Sequence, residues 1–202
     1  MTKKLLVASS NKGKIIEIKE HFRELDFEFV TPDNFGNLEE VEEDGSTFEE
    51  NALKKARVRA NKTNLLTLAD DTGLEVDYLK GKPGIYSARF AHQDATYKEN
   101  NDRLLELLKG VPFEKRSAQF RTVVAVVDPK KDSEYTVTGN CKGYILKERR
   151  GERGFGYDPL FYVPEYDKTF AEMSVSLKNK ISHRAHALEK MKKVLKKSYS
   201  EN

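Results

Sequence analysis

At 202 residues the chain has the length of one domain and can bury a real core, and 38% apolar side chains is ordinary for a charged globular protein. Its 36 Lys and Arg nearly cancel 33 Asp and Glu, and a net charge of +3 argues against bulk nucleic-acid binding through a basic stripe. One cysteine, Cys141, rules out an intramolecular disulfide, and no apolar run approaches membrane-spanning length, so the expectation is one domain over 1–202, cytoplasmic and without membrane or nucleic-acid partners.

Met1-Thr2-Lys3-Lys4 leads into a strand with no secretory apolar core, and Lys4 to Ala8 reads as a buried strand. Asn11 is a good helix cap, and Ile15, Ile18, Phe22 and Leu25 follow at helical spacing. Phe27 to Val30 is a second strand, ended by Thr31-Pro32-Asp33-Asn34. After an acidic loop over Glu39 to Asp44, the Thr47/Glu50 and Ser46/Glu49 pairs announce a helix running to Asn64, with Phe48, Ala52, Ala56 and Ala60 on one face. Leu65 to Ala69 is a third strand, with Asp70 and Asp71 expected at its C-terminal end.

Lys80 to Gly84 is a turn. Thr96 and Glu99 open a helix carried by Leu104, Leu105, Leu107 and Leu108 and closed by Gly110 and Pro112. Ser117 to Val127 and Glu134 to Ile145 read as a long hairpin around Asp128-Pro129. A glycine-rich loop over Arg149 to Tyr157 precedes a strand at Leu160 to Val163, and Ser182 caps a final amphipathic helix. This order predicts an α/β protein whose central mixed sheet is flanked by helices.

Four segments carry chemistry. Ser9, Ser10, Asn11, Lys12, Gly13 and Lys14 lie between a strand and a helix start, where amides and the helix dipole favour an anion, although an ordinary turn with solvated lysines reads the same way. It is not a Walker loop, because one glycine stands alone and no Gly-Lys-Ser/Thr follows. In Asp70-Asp71-Thr72-Gly73 one carboxylate can cap a turn while the other faces a ligand. Magnesium typically takes one or two protein carboxylates and leaves its other positions to water and phosphate, and Glu42 or Glu43 could supply a second one. Phe155, between Gly154 and Gly156 and followed by Tyr157 and Asp158, can stack a base or simply anchor its loop. Lys178, His183 and Arg184 cluster near a helix start, where cations oppose the dipole and so suggest a role other than stability.

With these segments placed, the chain resembles the inosine triphosphate pyrophosphatase family, which includes the bacterial dITP/XTP pyrophosphatases. The resemblance runs from Leu6 almost to the C-terminus. It includes Glu42 to Ala52, Pro83 to Phe90, Gly154 to Pro159 and Ser182-His183-Arg184. It implies an elongated, two-lobed α/β fold, a homodimer, a Mg²⁺ cofactor and hydrolysis of ITP, dITP and XTP to the monophosphate and pyrophosphate. Carried over by residue, the phosphate loop falls on Ser9 to Lys14 and the metal carboxylates on Glu42 and Asp71. Asp71 also takes the proton, and Lys14 and Lys55 face the phosphates. Thr72, Phe155, Gly156, Tyr157, Asp158, Lys178, His183 and Arg184 complete the substrate contacts. The rival readings are a Maf-type nucleotide pyrophosphatase, disfavoured by the Gly-Phe-Gly-Tyr-Asp loop, and a non-catalytic nucleic-acid-binding protein, disfavoured by the near-neutral charge.

Overall fold

A computed structural model describes residues 3–36 and 38–199, so Met1 and Thr2 of the expected lead-in lie outside the described residues. Its strands are β1 (Lys3–Val7), β2 (Phe27–Val30), β3 (Leu66–Val76), β4 (Ser117–Asp128), β5 (Ser133–Ile145), β6 (Phe161–Val163) and β7 (Lys168–Thr169). Its α-helices are α1 (Lys12–His21), α2 (Phe48–Thr63), α3 (Tyr97–Leu107), α4 (Val175–Ile181) and α5 (His183–Tyr199).

The strands form one sheet in the order β2-β1-β3-β4-β5-β6-β7. β1 pairs in parallel with β2, Leu6 opposite Val30, and with β3, Leu5 opposite Leu66. β6 runs antiparallel to both β5 and β7. Residues 129–132 join the neighbouring strands β4 and β5, too short a link for a crossover, so this pair is antiparallel as well. The mixed α/β sheet expected from the order of elements is therefore present.

Two features depart from the sequence reading. β3 does not stop at Ala69 but runs on to Val76, which puts Asp70 and Asp71 inside a strand. The periodic signal hides this because the expected Asp-Thr-Gly turn is instead extended backbone, continued by buried Gly73, Leu74 and Val76. The segment before the last helix also holds a short helix of its own, α4, capped by the Ser174 hydroxyl that accepts from the Leu177 amide. Seven residues are too few for apolar periodicity to show.

The chain divides into two compact units. Unit 1 comprises the chain up to Asp71, Thr122–Gly139 and the chain from Arg184; unit 2 comprises Thr72–Arg121 and Asn140–His183. In unit 1, Leu5 and Val7 of β1, Leu66 and Leu68 of β3 and Val124 and Val126 of β4 pack with Ile18 and Phe22 and with Ala187, Leu188, Met191 and Leu195 of α5. Every second strand residue takes part, as expected when one face of a pleated sheet is covered. Ala52, Ala56 and Ala60 of α2 are also fully buried, their small side chains permitting close approach. In unit 2, Leu74, Val76, Phe120, Ile145, Phe161 and Val163 of the strands pack with Leu104, Leu108, Leu160, Phe170 and Met173. The Thr96/Glu99 capping box that starts α3 is formed in both directions.

Candidate active site

In unit 1 the loop from β1 to α1 is shaped by its own side chains. The Ser9 hydroxyl accepts from the Asn11 amide at 3.2 Å, and Asn11 Oδ1 accepts from the Lys14 amide at 3.1 Å. Ser10 and Lys12 are exposed, while Ser9, Asn11, Gly13 and Lys14 are half-buried. Helix-start amides lack partners within the helix, so this loop offers an anion both donors and the positive end of a dipole.

Adjacent residues of a strand face opposite sides, so Asp70 and Asp71 have different surroundings. Asp70 shares the face of Leu66 and Leu68, with α1 and α5. Its Oδ2 lies 3.0 Å from Lys14 Nζ and 3.3 Å from Arg184 Nη2. Arg184, itself fully buried, also donates from Nη1 to Glu17 at 2.6 Å. Burial alone would raise the Asp70 pKa, but Lys14, Arg184 and Lys55 outweigh it and hold the carboxyl well below its usual range. Burial pulls the Lys14 ammonium down, with Asp70 opposing.

Asp71 looks toward α2. Its Oδ2 accepts from Asn51 Nδ2 at 3.1 Å. Burial raises its pKa; Lys55 opposes the shift and Glu43 adds to it. Lys55 Nζ donates to Glu43 Oε1 and to the Asp70 carbonyl, both at 2.6 Å. Burial would lower the Lys55 ammonium, yet Glu43, Asp71 and Asp70 prevail and its pKa is raised. The unit thus holds two aspartates in opposite states of readiness. Asp70 is locked as an anion, whereas Asp71 is a carboxylate brought closer to accepting a proton.

Unit 2 carries the aromatic loop. Gly154 and Gly156 both have positive φ, 79° and 61°, and a Cβ on Gly154 would collide with the Asp158 carboxylate. That closeness lets Asp158 Oδ2 accept from the Phe155 amide at 2.9 Å and from Lys178 Nζ at 2.7 Å. The Lys178 ammonium stands 4.8 Å from the centre of the half-buried Phe155 ring, with Tyr97 6.4 Å away on a tilted plane. Tyr157 is buried and donates to the Ser87 carbonyl at 2.8 Å, and Asn101 donates to the Gly156 carbonyl at 2.8 Å. His183 is buried and stacked on Phe120, centroids 4.6 Å apart and planes 15° apart.

Of the residues singled out in the sequence, Lys14 and Arg184 meet at Asp70. Lys55 is coupled to Asp71 in unit 1, and Phe155, Asp158 and Lys178 meet in unit 2. Thr72 follows Asp71 in β3 and is half-buried. Glu42 is exposed, and its neighbour Glu43 makes the contact with Lys55. Sequence reasoning gave no role to Glu17, Asn51 or Asn101, and it named Glu43 only as an alternative to Glu42 and Asp70 only as one of two carboxylates with roles to divide. Asn51 did leave a signal, as a polar residue on the inward face that Phe48 and Ala52 define. Glu17 and Asn101 left none. Among the described residues no group of three or more His, Cys, Asp or Glu side chains converges to hold a metal, whereas Asp71 and Glu43 are electrostatically coupled. Hard carboxylate oxygens in ones and twos fit Mg²⁺, which completes its octahedron with phosphate oxygens and water.

Residues 5–194 match the profile of the Ham1 family. The chain is 51% identical to a dITP/XTP pyrophosphatase of Desulforamulus reducens, the match covering 97% of both chains. It is 49% identical to the dITP/XTP pyrophosphatase of Bacillus cereus over 94% of this chain and 93% of that one. Among solved structures, the Ham1 protein of Staphylococcus aureus superposes with a TM-score of 0.87 at 40% identity, covering 96% of this chain and 99% of that one. A HAM1 protein from Coxiella burnetii gives 0.89 at 41% identity, covering 97% and 100%. The resemblance read from the sequence is borne out.

Proposed function

This chain belongs to the Ham1 family, and on that premise we propose that it is a nucleoside triphosphate pyrophosphatase. It hydrolyses the deaminated purine triphosphates ITP, dITP and XTP to the monophosphate and pyrophosphate, clearing them from the nucleotide pool. The observation that carries this reading is Asp71, a buried carboxylate with a raised pKa among the ammonium groups of Lys55 and Lys14. A base for water beside cations for phosphate is what cleavage of a phosphoanhydride needs.

In this reading the Ser9 to Lys14 loop binds phosphate oxygens through amides and hydroxyls. Lys55 and Lys14 stabilise the charge that develops on the pyrophosphate leaving group. Asp71 orients the attacking water and takes its proton, and Thr72 contacts the substrate from the next position in the strand. Arg184 is held by Asp70 and Glu17, and it acts on the phosphate side. Asp71 and Glu42 would hold Mg²⁺, with Glu43 kept in place by Lys55. When bound, the ion neutralises charge on the phosphates.

Unit 2 reads the base. Phe155 stacks on the purine, while Gly156, Tyr157 and Asp158 shape the loop around it. Lys178 and His183 serve the 6-oxo edge. Adenine offers an amine there and would leave a donor unpaired, at about 1–3 kcal/mol per group. The protein works in the cytoplasm as a homodimer. Cys141 is a free, buried thiol, and among the described residues no helix is long and apolar enough to cross a membrane.

The test is pyrophosphate release from ITP, dITP, XTP, ATP and GTP with and without Mg²⁺. Rapid, Mg²⁺-dependent release from the first three is expected. Equal use of ATP, or release of orthophosphate and a diphosphate, refutes the assignment.

A further inference from the structure

Asn51 is fully buried on the first turns of α2, a position that its apolar neighbours Phe48 and Ala52 would lead one to expect for another apolar side chain. Both ends of its carboxamide are used. Oδ1 accepts from the Gly45 amide at 2.8 Å, and Nδ2 donates to Asp71 Oδ2 at 3.1 Å. The two partners fix which end is which, because a backbone N–H only donates and an ionised carboxylate only accepts. No other side chain of this size presents an acceptor and a donor in one plane. Aspartate would face Asp71 with an acceptor, and leucine would satisfy neither partner.

Gly45 is matched to this contact. A Cβ there would stand 2.6 Å from Asn51 Oδ1 and 2.9 Å from Glu50 Cβ, so only glycine brings its amide this close. The next amide, Ser46, donates to Glu50 Oε2 at 2.7 Å, so the end of the acidic loop is tied to α2 at two successive residues.

We propose that Asn51 is a positioning residue: its carboxamide ties the acidic loop that carries Glu42 and Glu43 to Asp71 and fixes the direction in which Asp71 presents its carboxylate. The inference rests on the proposed role of Asp71. Groups that orient a reacting or metal-binding carboxylate typically change activity or metal affinity by about 10–100-fold when removed.

The experiment compares Asn51→Asp, Asn51→Leu and Gly45→Ala with the wild type. Asn51→Asp keeps the acceptor for Gly45 and loses the donor to Asp71; Asn51→Leu loses both; Gly45→Ala pushes the loop off an intact Asn51. At saturating ITP and Mg²⁺, kcat should fall by about 10–100-fold in both Asn51 variants. KM for ITP should stay within about threefold, because orientation for the chemical step is lost and not substrate binding. Gly45→Ala should show the same split at smaller size. A kcat within about twofold of wild type in Asn51→Asp would overturn the proposal, as would a loss confined to Asn51→Leu, which packing alone would explain. Hydrogen exchange at the Gly45 amide reads the tie without turnover. Protection should survive in Asn51→Asp and vanish in Asn51→Leu, and equal exchange in Asn51→Leu and wild type overturns the tie even if ITP is hydrolysed. A wild type that protects Gly45 but leaves ITP intact refutes the proposed substrate and not the tie.

Discussion

The two units hold side-chain clusters built on different principles. In unit 1, Lys14, Lys55, Asp70, Asp71 and Arg184 are charged side chains that set one another's state, and an electrostatic change at one is felt by the others. In unit 2 the cluster around Phe155 joins the Lys178–Asp158 ion pair to stacked rings, glycine φ values and bonds to backbone carbonyls. On the proposed function the difference suits two tasks. Bond cleavage gains from charges fixed before the reaction begins, whereas a purine is gripped through its π-face and shape.

The contrast predicts where substitutions act. The largest effect is expected from Asp70→Asn, which leaves the buried cations of Lys14 and Arg184 short of a counter-charge. Breaking a buried pair from one side costs about 3–5 kcal/mol, read as a lower urea midpoint. A stability loss no larger than that of an exposed pair would show that the unit 1 charges are independent of one another. Next comes Asp71→Asn, with turnover down at least ~10²-fold and a circular-dichroism melt close to wild type. Retained turnover would place the base elsewhere.

Phe155→Ala tests the other cluster. It should weaken every nucleotide alike, by about 1–3 kcal/mol in kcat/KM, because stacking reads a face and not an edge. A change confined to ITP would mean that the ring contributes to selectivity. The smallest differential effect belongs to Arg184→Ala. If Arg184 acts with the charges of unit 1, ITP and ATP should slow by the same factor. A fall in the ITP/ATP ratio of kcat/KM would instead assign Arg184 to the 6-oxo edge.

Much of this was readable in advance, for local reasons. The strand at Phe27 to Val30 was predicted with the bounds it has, and Thr47, Thr96 and Asn11 cap helices as expected, because each signal lies within a few residues. The alternation of β3 past Ala69 was missed because charged residues within a strand look like a turn until their partners are known. Those partners, Lys14 and Arg184, are distant in sequence. The same distance concealed Glu17 opposite Arg184 and Asn101 behind the aromatic loop. Glu43 was visible as an alternative to Glu42, but which of the two turns toward Lys55 depends on the path of a loop that carries no periodicity.

The run of β3 through Asp70 and Asp71 has one more consequence. The two residues are chemically identical, and what separates the carboxyl whose pKa is lowered from the one whose pKa is raised is odd or even position along the strand. Adding one residue to β3 ahead of Asp70 would turn both side chains to the opposite face of the sheet, Asp70 into the place of Asp71 and Asp71 into that of Thr72, so the protein would keep both carboxylates while losing the surroundings that set them apart. Point substitution tests which groups matter, and a single-residue insertion would test whether counting along the chain is itself part of the catalyst.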